Sequence, residues 1–234
     1  MFIPTRMKRI SSLAKTLPIL AVASAFLLTA CSTIHRVNAE FDTTLGKKRK
    51  TTNVYQDGVL PGQLTRVALL PMYKGEYDHI DLSLIEENIR LELSKLGLFE
   101  VVSVGPETMR ELFSQERFSS IEALPTQLIE KLHARFAVDG LLLVDLSYFK
   151  AYQPVGMGMR AKLLDTNSGK LVWAVDEVFD SSNPDVSNAA RKFYKTESII
   201  AYPIRNTQSA LHSPNRFSKY VAHSLFGAIY LQKS

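Results

Sequence analysis

An α/β (α+β) fold built on a mixed sheet is predicted by three features of this chain. Apolar residues alternate in steps of two from Gly140 to Asp180, helix-spaced apolar stripes occupy 83–136, and Gly or Pro punctuates the joints between them. Val67-Ala68-Leu69-Leu70 is apolar on both faces and stops at Pro71, which predicts a buried strand. A helix follows, with Asp81 or Ser83 as its cap, Ser83 and Glu86 as a capping box, and Ile85, Ile89, Leu93 and Leu96 as one stripe before Gly97. Phe99 to Val104 reads as the second strand, bounded by Gly105-Pro106. Glu107 to Gln115 is a short helix with Met109, Leu112 and Phe113 inward, and Pro125 opens another with Leu128, Leu132 and Phe136 spaced by four. From Gly140 the period changes to two. Leu142, Val144, Leu146 and Tyr148 share one side of a strand whose other side, Leu141 and Leu143, is also apolar, so this strand is expected to be central. Met159, Ala161 and Leu163 alternate with Arg160 and Lys162 on a strand with one wet face. Asp165 to Gly169 supplies a turn, and Leu171, Trp173, Val175 and Phe179 form the last strand. The order is β-α-β-α-α-β-β-β with helices packed on the sheet. A C-terminal helix over 214–231 adds Phe217, Tyr220, Val221, Leu225 and Ala228 on one face, expected to dock on the domain's own sheet.

The amino-terminal end carries a different signal. Arg6, Lys8, Arg9 and Lys15 precede Leu17 to Ala30, a run of 14 residues without charge, and Cys31 follows as the single cysteine of 234 residues. A bilayer core takes about 20 apolar residues to span, so this run predicts an export signal over 1–30 rather than a retained anchor. Leu28-Thr29-Ala30-Cys31 resembles the lipobox of bacterial lipoproteins. That resemblance implies cleavage between Ala30 and Cys31 and attachment of diacylglycerol and an N-linked acyl chain, palmitate among such chains, to Cys31. No disulfide is available to the mature chain. Ser32 lacks the aspartate that resembles an inner-membrane retention signal, which implies the outer membrane, facing the periplasm.

Export also changes the charge argument. The full chain is +5 with a pI of 9.2, but residues 1–30 hold four of the 28 Lys and Arg and no acid. Beyond residue 50 the chain is net negative, with 19 basic and 21 acidic groups, which excludes a nucleic-acid partner. Residues 31–64 are polar, lack periodicity and end in Asp57-Gly58 and Pro61-Gly62, so they are read as a lipidated amino terminus and flexible linker ahead of a single domain over 65–234. In that linker Lys47, Lys48, Arg49 and Lys50 read as a solvated patch, the alternative being candidate contact with lipid headgroups.

A second resemblance rests on Val67 to Pro71, Leu96 to Val102, Phe136 to Gly140 and Leu164 to Trp173. In this order they resemble a group of envelope proteins sharing one α/β domain: the curli-secretion channel lipoprotein, the lipoprotein that activates penicillin-binding proteins, and the amino-terminal domain of the Tol-Pal propeller protein. The similarity spans about residues 65–180 and implies a fold, not a function, since these relatives act differently on one scaffold.

No chemical constellation accompanies the fold. Glu76, Asp78, His79 and Asp81 match no metal-ligand spacing and read as a solvated loop; Asp165, Asn167 and Gly169 begin like a calcium loop, but the glycine comes one residue early. His35, His133, His212 and His223 are scattered, with no nucleophile elbow, phosphate loop or zinc-protease helix. The expectation is a non-catalytic protein without metal or cofactor beyond its acyl chains, anchored to the membrane, that binds or regulates another envelope protein. Homo-oligomerisation stays open. Met157 and Met159 beside Gly156 and Gly158 read as packing, with partner contact as the alternative, and Arg191, Lys192, Phe193, Tyr194 and Tyr202 in a long loop over 181–213 are candidate partner contacts. The alternative is an oligomeric secretion channel, although 186–204 places Arg191, Phe193, Lys195 and Glu197 on one side of any hairpin. A third reading is an envelope hydrolase.

Overall fold

Six strands make one sheet in the computed structural model, which describes residues 49–201, with side chains to 197, and 211–229. The elements are β1 (Val54–Gln56), β2 (Arg66–Leu69), a 3-10 turn (Gly75–Tyr77), α1 (Ser83–Ser94), β3 (Glu100–Ser103), α2 (Pro106–Phe113), α3 (Leu128–Phe136), β4 (Gly140–Lys150), β5 (Gly156–Asp165), β6 (Leu171–Asp180), α4 (Pro184–Ala201) and α5 (Pro214–Phe226). Their order across the sheet is β1-β6-β5-β4-β2-β3. β3, β2 and β4 run parallel, joined by helical crossovers, whereas β4, β5, β6 and β1 pair antiparallel. The expected order of strands and helices between 66 and 180 is therefore present. β4 is central, as its two apolar faces require.

The two faces of this sheet are filled differently. On one, Leu142, Val144, Met157, Met159, Ala161, Leu163, Trp173, Val175 and Phe179 pack with Ile85, Ile89 and Leu93 of α1, Val186 and Ala190 of α4, and Phe217, Val221 and Leu225 of α5. Trp173 meets Phe226 at 6.3 Å and Phe179 meets Tyr220 at 5.9 Å, so α5 docks on its own domain as expected. On the other face Ala68, Leu141 and Leu143 pack beneath Met109 of α2, Leu128 and Leu132 of α3, and Phe118.

Five sequence expectations need correction. The segment 49–64 is not wholly linker, because β1 pairs with β6 in the register Val54 to Val175 and Leu64 is buried. The cause is Glu177, whose carboxylate accepts the Thr52 N–H (3.0 Å) and Asn53 N–H (3.3 Å) and pairs with Arg49. Most of the supposed loop 181–213 is α4. Asn183 Oδ1 accepts the Asp185 N–H at 2.9 Å, Pro184 opens the helix, and Val186, Ala189 and Ala190 form a buried stripe of small residues. The capping box is absent too, since Leu82 occupies the cap position of α1 and Asp81 accepts the Ser83 N–H at 3.0 Å. Glu86 instead faces Lys74 (3.6 Å) and Arg117 (3.5 Å). In β4 a bulge between Leu146 and Tyr148 turns Tyr148 away from the stripe of Leu142 and Leu146, and Phe149 takes the core side in its place. The last helix ends at Phe226 rather than 231, with Gly227 as its C-cap.

Candidate interaction surface

Helices α2 and α3 cover the second sheet face only over its β3-β2-β4 half. The other half, formed by β5, β6 and β1, has no helix on it among the described residues. Alternation dictates which side chains stand there. Gly158, Arg160 and Lys162 of β5 lie opposite Val178, Asp176 and Ala174 of β6, and Tyr55 of β1 lies beside Ala174. Val178 and Tyr55 are each 51% exposed. Tyr55, level with Ala174, and Val178 lie on either side of Asp176 along this sheet face, and exposed large apolar groups of this kind are characteristic of contact surfaces.

A buried carboxylate draws the boundary between the two halves. Asp145 of β4, 3% exposed, accepts Ser119 Oγ (3.1 Å), Ser120 Oγ (2.9 Å) and the Ser120 N–H (2.9 Å). These bonds hold the segment after α2 against the sheet and leave Ile121, 67% exposed, at the rim. Arg160 donates to Asp176 (2.8 Å) and lies 3.8 Å from Asp145, while Lys162 donates to the Ser120 carbonyl at 2.7 Å. At the far end the bulge sets Tyr148 across β5. A Cβ at Gly156 would come within 2.5 Å of its ring, and one at Gly158 within 2.9 Å of its Cβ, so glycine is required beneath it. On this face Tyr148 covers Gly156 and Gly158, the Arg160–Asp176 pair crosses the middle, and Ala174 lies between Lys162 and Tyr55.

No family model matches the chain, and no curated protein matches it. Solved structures that align with it include a variant PelC dodecamer from Paraburkholderia phytofirmans, at 12% identity over 62% of this chain and 97% of that one, with a TM-score of 0.40. The lipoprotein GNA1162 from Neisseria meningitidis aligns at 19% identity over 61% of this chain and 99% of that one, also with a TM-score of 0.40. The LpoB C-terminal domain from Salmonella enterica aligns at 16% identity over 53% and 86%, with a TM-score of 0.36. TM-scores below 0.5 leave the function to be argued from this chain's own surface.

The residues singled out from the sequence do not form that surface. Met157 and Met159 are fully buried under the helices of the first face, so packing holds for them and the alternative of partner contact does not. Phe193 and Tyr194 join α4 to α5: Phe193 lies 4.7 Å from the His223 ring and Tyr194 Oη donates to the Arg216 carbonyl at 2.6 Å. Burial pushes the Tyr194 hydroxyl far above its ordinary value. Arg191 donates to Asn188 at 3.1 Å along α4, and Lys192 beside it is half-buried. Arg49 is not a headgroup contact either. It is paired with Glu177 and lies over the Phe179 ring at 5.6 Å, while Lys50 is exposed. Ala30, Cys31, Lys47, Lys48 and Tyr202 lie outside the described residues.

Two other places where polar groups gather are internally satisfied. A crevice of about 340 Å³ opens at the C-terminal ends of β2 and β3, but its Glu86 faces Lys74 and Arg117 and its Glu87 holds Arg90 at 2.6 Å. Among the described residues no three His, Cys, Asp or Glu side chains are placed to hold a metal ion, and no helix is long and apolar enough to cross a membrane. At Asp165 the carboxylate accepts the Asn167 N–H (3.0 Å) and Ser168 Oγ (2.7 Å), closing the hairpin turn.

Proposed function

We propose that this chain is a lipid-anchored protein of the bacterial envelope, held through Cys31 in the outer membrane and facing the periplasm, that acts without catalysis by binding another envelope protein. The observation that carries the binding role is the half-sheet on which no helix lies among the described residues, where Tyr55, Val178 and Ile121 stand exposed around the Arg160–Asp176 pair. The anchor rests on Leu28-Thr29-Ala30-Cys31 behind a charge-free apolar run. Two or more acyl chains give stable attachment, so the domain works within a thin layer next to the bilayer.

Crosslinking in intact cells tests both parts. The full chain is expected to give a discrete heteromeric adduct in the outer-membrane fraction, reduced at least tenfold by Val178→Asp or Tyr55→Asp while circular dichroism of the purified variants stays unchanged. Cys31→Ala is expected to abolish labelling by an alkyne fatty acid and release the protein from the membrane. An adduct indifferent to both surface substitutions would sink the assignment of the surface, and retained acylation in Cys31→Ala would sink the anchor.

A further inference from the structure

We infer that residues 49–57 form a strap that opens as one unit while the rest of the domain stays folded, and that its opening turns β6 from an inner strand into an edge strand. The strap holds little apolar surface. None of residues 49–63 is buried, and Val54 and Leu60 reach only the margin of the core on the first sheet face. Both cores close without the strap, since Leu64, the first buried residue of the described chain, lies beyond it. A segment with few buried apolar contacts opens at a lower free energy than the domain that carries it.

The polar hold converges on one side chain. Glu177, 8% exposed, accepts the Thr52 N–H (3.0 Å), Thr52 Oγ (3.2 Å) and the Asn53 N–H (3.3 Å), and it pairs with Arg49. Thr51 Oγ donates to the Ser224 carbonyl at 2.9 Å. On the sheet side the Asp57 N–H donates to the Val172 carbonyl and the Asp176 N–H to the Asn53 carbonyl, each at 3.1 Å. Four contacts share the Glu177 carboxylate, so they are lost together, which makes the opening cooperative. At the edge of the sheet the freed groups pass into water instead of being stranded in the core, which keeps its cost low. Opening bares the outward backbone groups of β6 from Val172 to Asp176, a row of donors and acceptors of the kind that strand addition uses. The closed strap withholds that row.

Hydrogen exchange of the full chain, followed amide by amide as urea is raised below the unfolding midpoint, tests this. Thr52, Asn53, Asp57 and Asp176 are expected to share one opening equilibrium, at least a hundredfold more favourable than that of Leu70 and Val104 and with a much smaller urea dependence. Four unequal values would mean fraying residue by residue, and values and slopes equal to those of Leu70 would mean opening only with the whole domain; either overturns the strap as a unit. Leu143→Ala, which loosens the core beneath α2 and α3, is expected to speed Leu70 and Val104 at least tenfold and leave the four strap amides within about twofold. A matching acceleration of the strap amides would again tie them to global unfolding. Glu177→Gln is expected to speed the strap amides at least tenfold, and unchanged rates would remove Glu177 as the residue that closes the strap.

Discussion

The two halves of one sheet face differ in what their outward side chains meet. Over β4 these are Leu141 and Leu143, both buried beneath α2 and α3, and the next in line is Asp145, satisfied by Ser119 and Ser120. Over β5, β6 and β1 they are Arg160, Lys162, Asp176, Val178 and Tyr55, and no helix of the described chain lies on them. The first half is specified by volume and hydrogen bonding and the second by what it leaves open. One sheet face is thus packed over one half and open, among the described residues, over the other.

Substitutions can break this contrast or sharpen it. Leu143→Ala, in the covered half, is expected to cost about 2–5 kcal/mol, read as a lowered urea midpoint with an unchanged slope. A loss below about 1 kcal/mol would mean that this half is not a packed core. Asp145→Ala is expected to cost about 3 kcal/mol, because it strands two hydroxyls and an N–H. The segment after α2 should then be the first site of limited proteolysis. Gly156→Ala is expected to cost about 1–3 kcal/mol through the Tyr148 ring and to recover most of it in combination with Tyr148→Ala; failure of the pair to couple would discard the close approach. Val178→Ala, in the open half, should change stability by less than about 0.5 kcal/mol while weakening partner binding.

The smallest effect concerns acid. Burial pushes the Glu177 carboxyl up, but the N–H groups of Thr52 and Asn53 together with Arg49 outweigh it and hold it below the ordinary carboxylate range. A depressed value means that its contribution is complete at neutral pH and fades only as pH falls through and below the ordinary value of about 4.3. The amide signals of Thr52 and Asn53 are therefore expected to titrate together with a midpoint below that value. A midpoint above it would show that burial wins.

How much of this could be read from the chain depends on the range of the cause. The placement of β4 at the centre follows from Leu141 to Leu146 being apolar on both sides, and the wet side of β5 from Arg160 and Lys162, both local patterns. α4 is hard to see in the sequence although Asn183-Pro184 is a helix start, because its buried stripe is made of Val186 and two alanines, too weak a contrast beside Arg191 and Lys192. β1 was missed because three residues carry no period and its pairing depends on Glu177, more than 120 positions away. Simple alternation puts Tyr148 on the core side, and a bulge reverses that alternation without marking the residues involved. The candidate surface needed one further fact that no strand contains, namely where α2 and α3 stop.

The strap at Glu177 has a mechanical consequence. If the acylated residue is Cys31 and the chain were free as far as Thr65, an extended chain could place the domain up to about 115 Å from the bilayer. Clamping begins at Arg49, which cuts that leash to about 60 Å, and a pull on it is borne first by an ion pair and two backbone amides at the outer edge of the sheet.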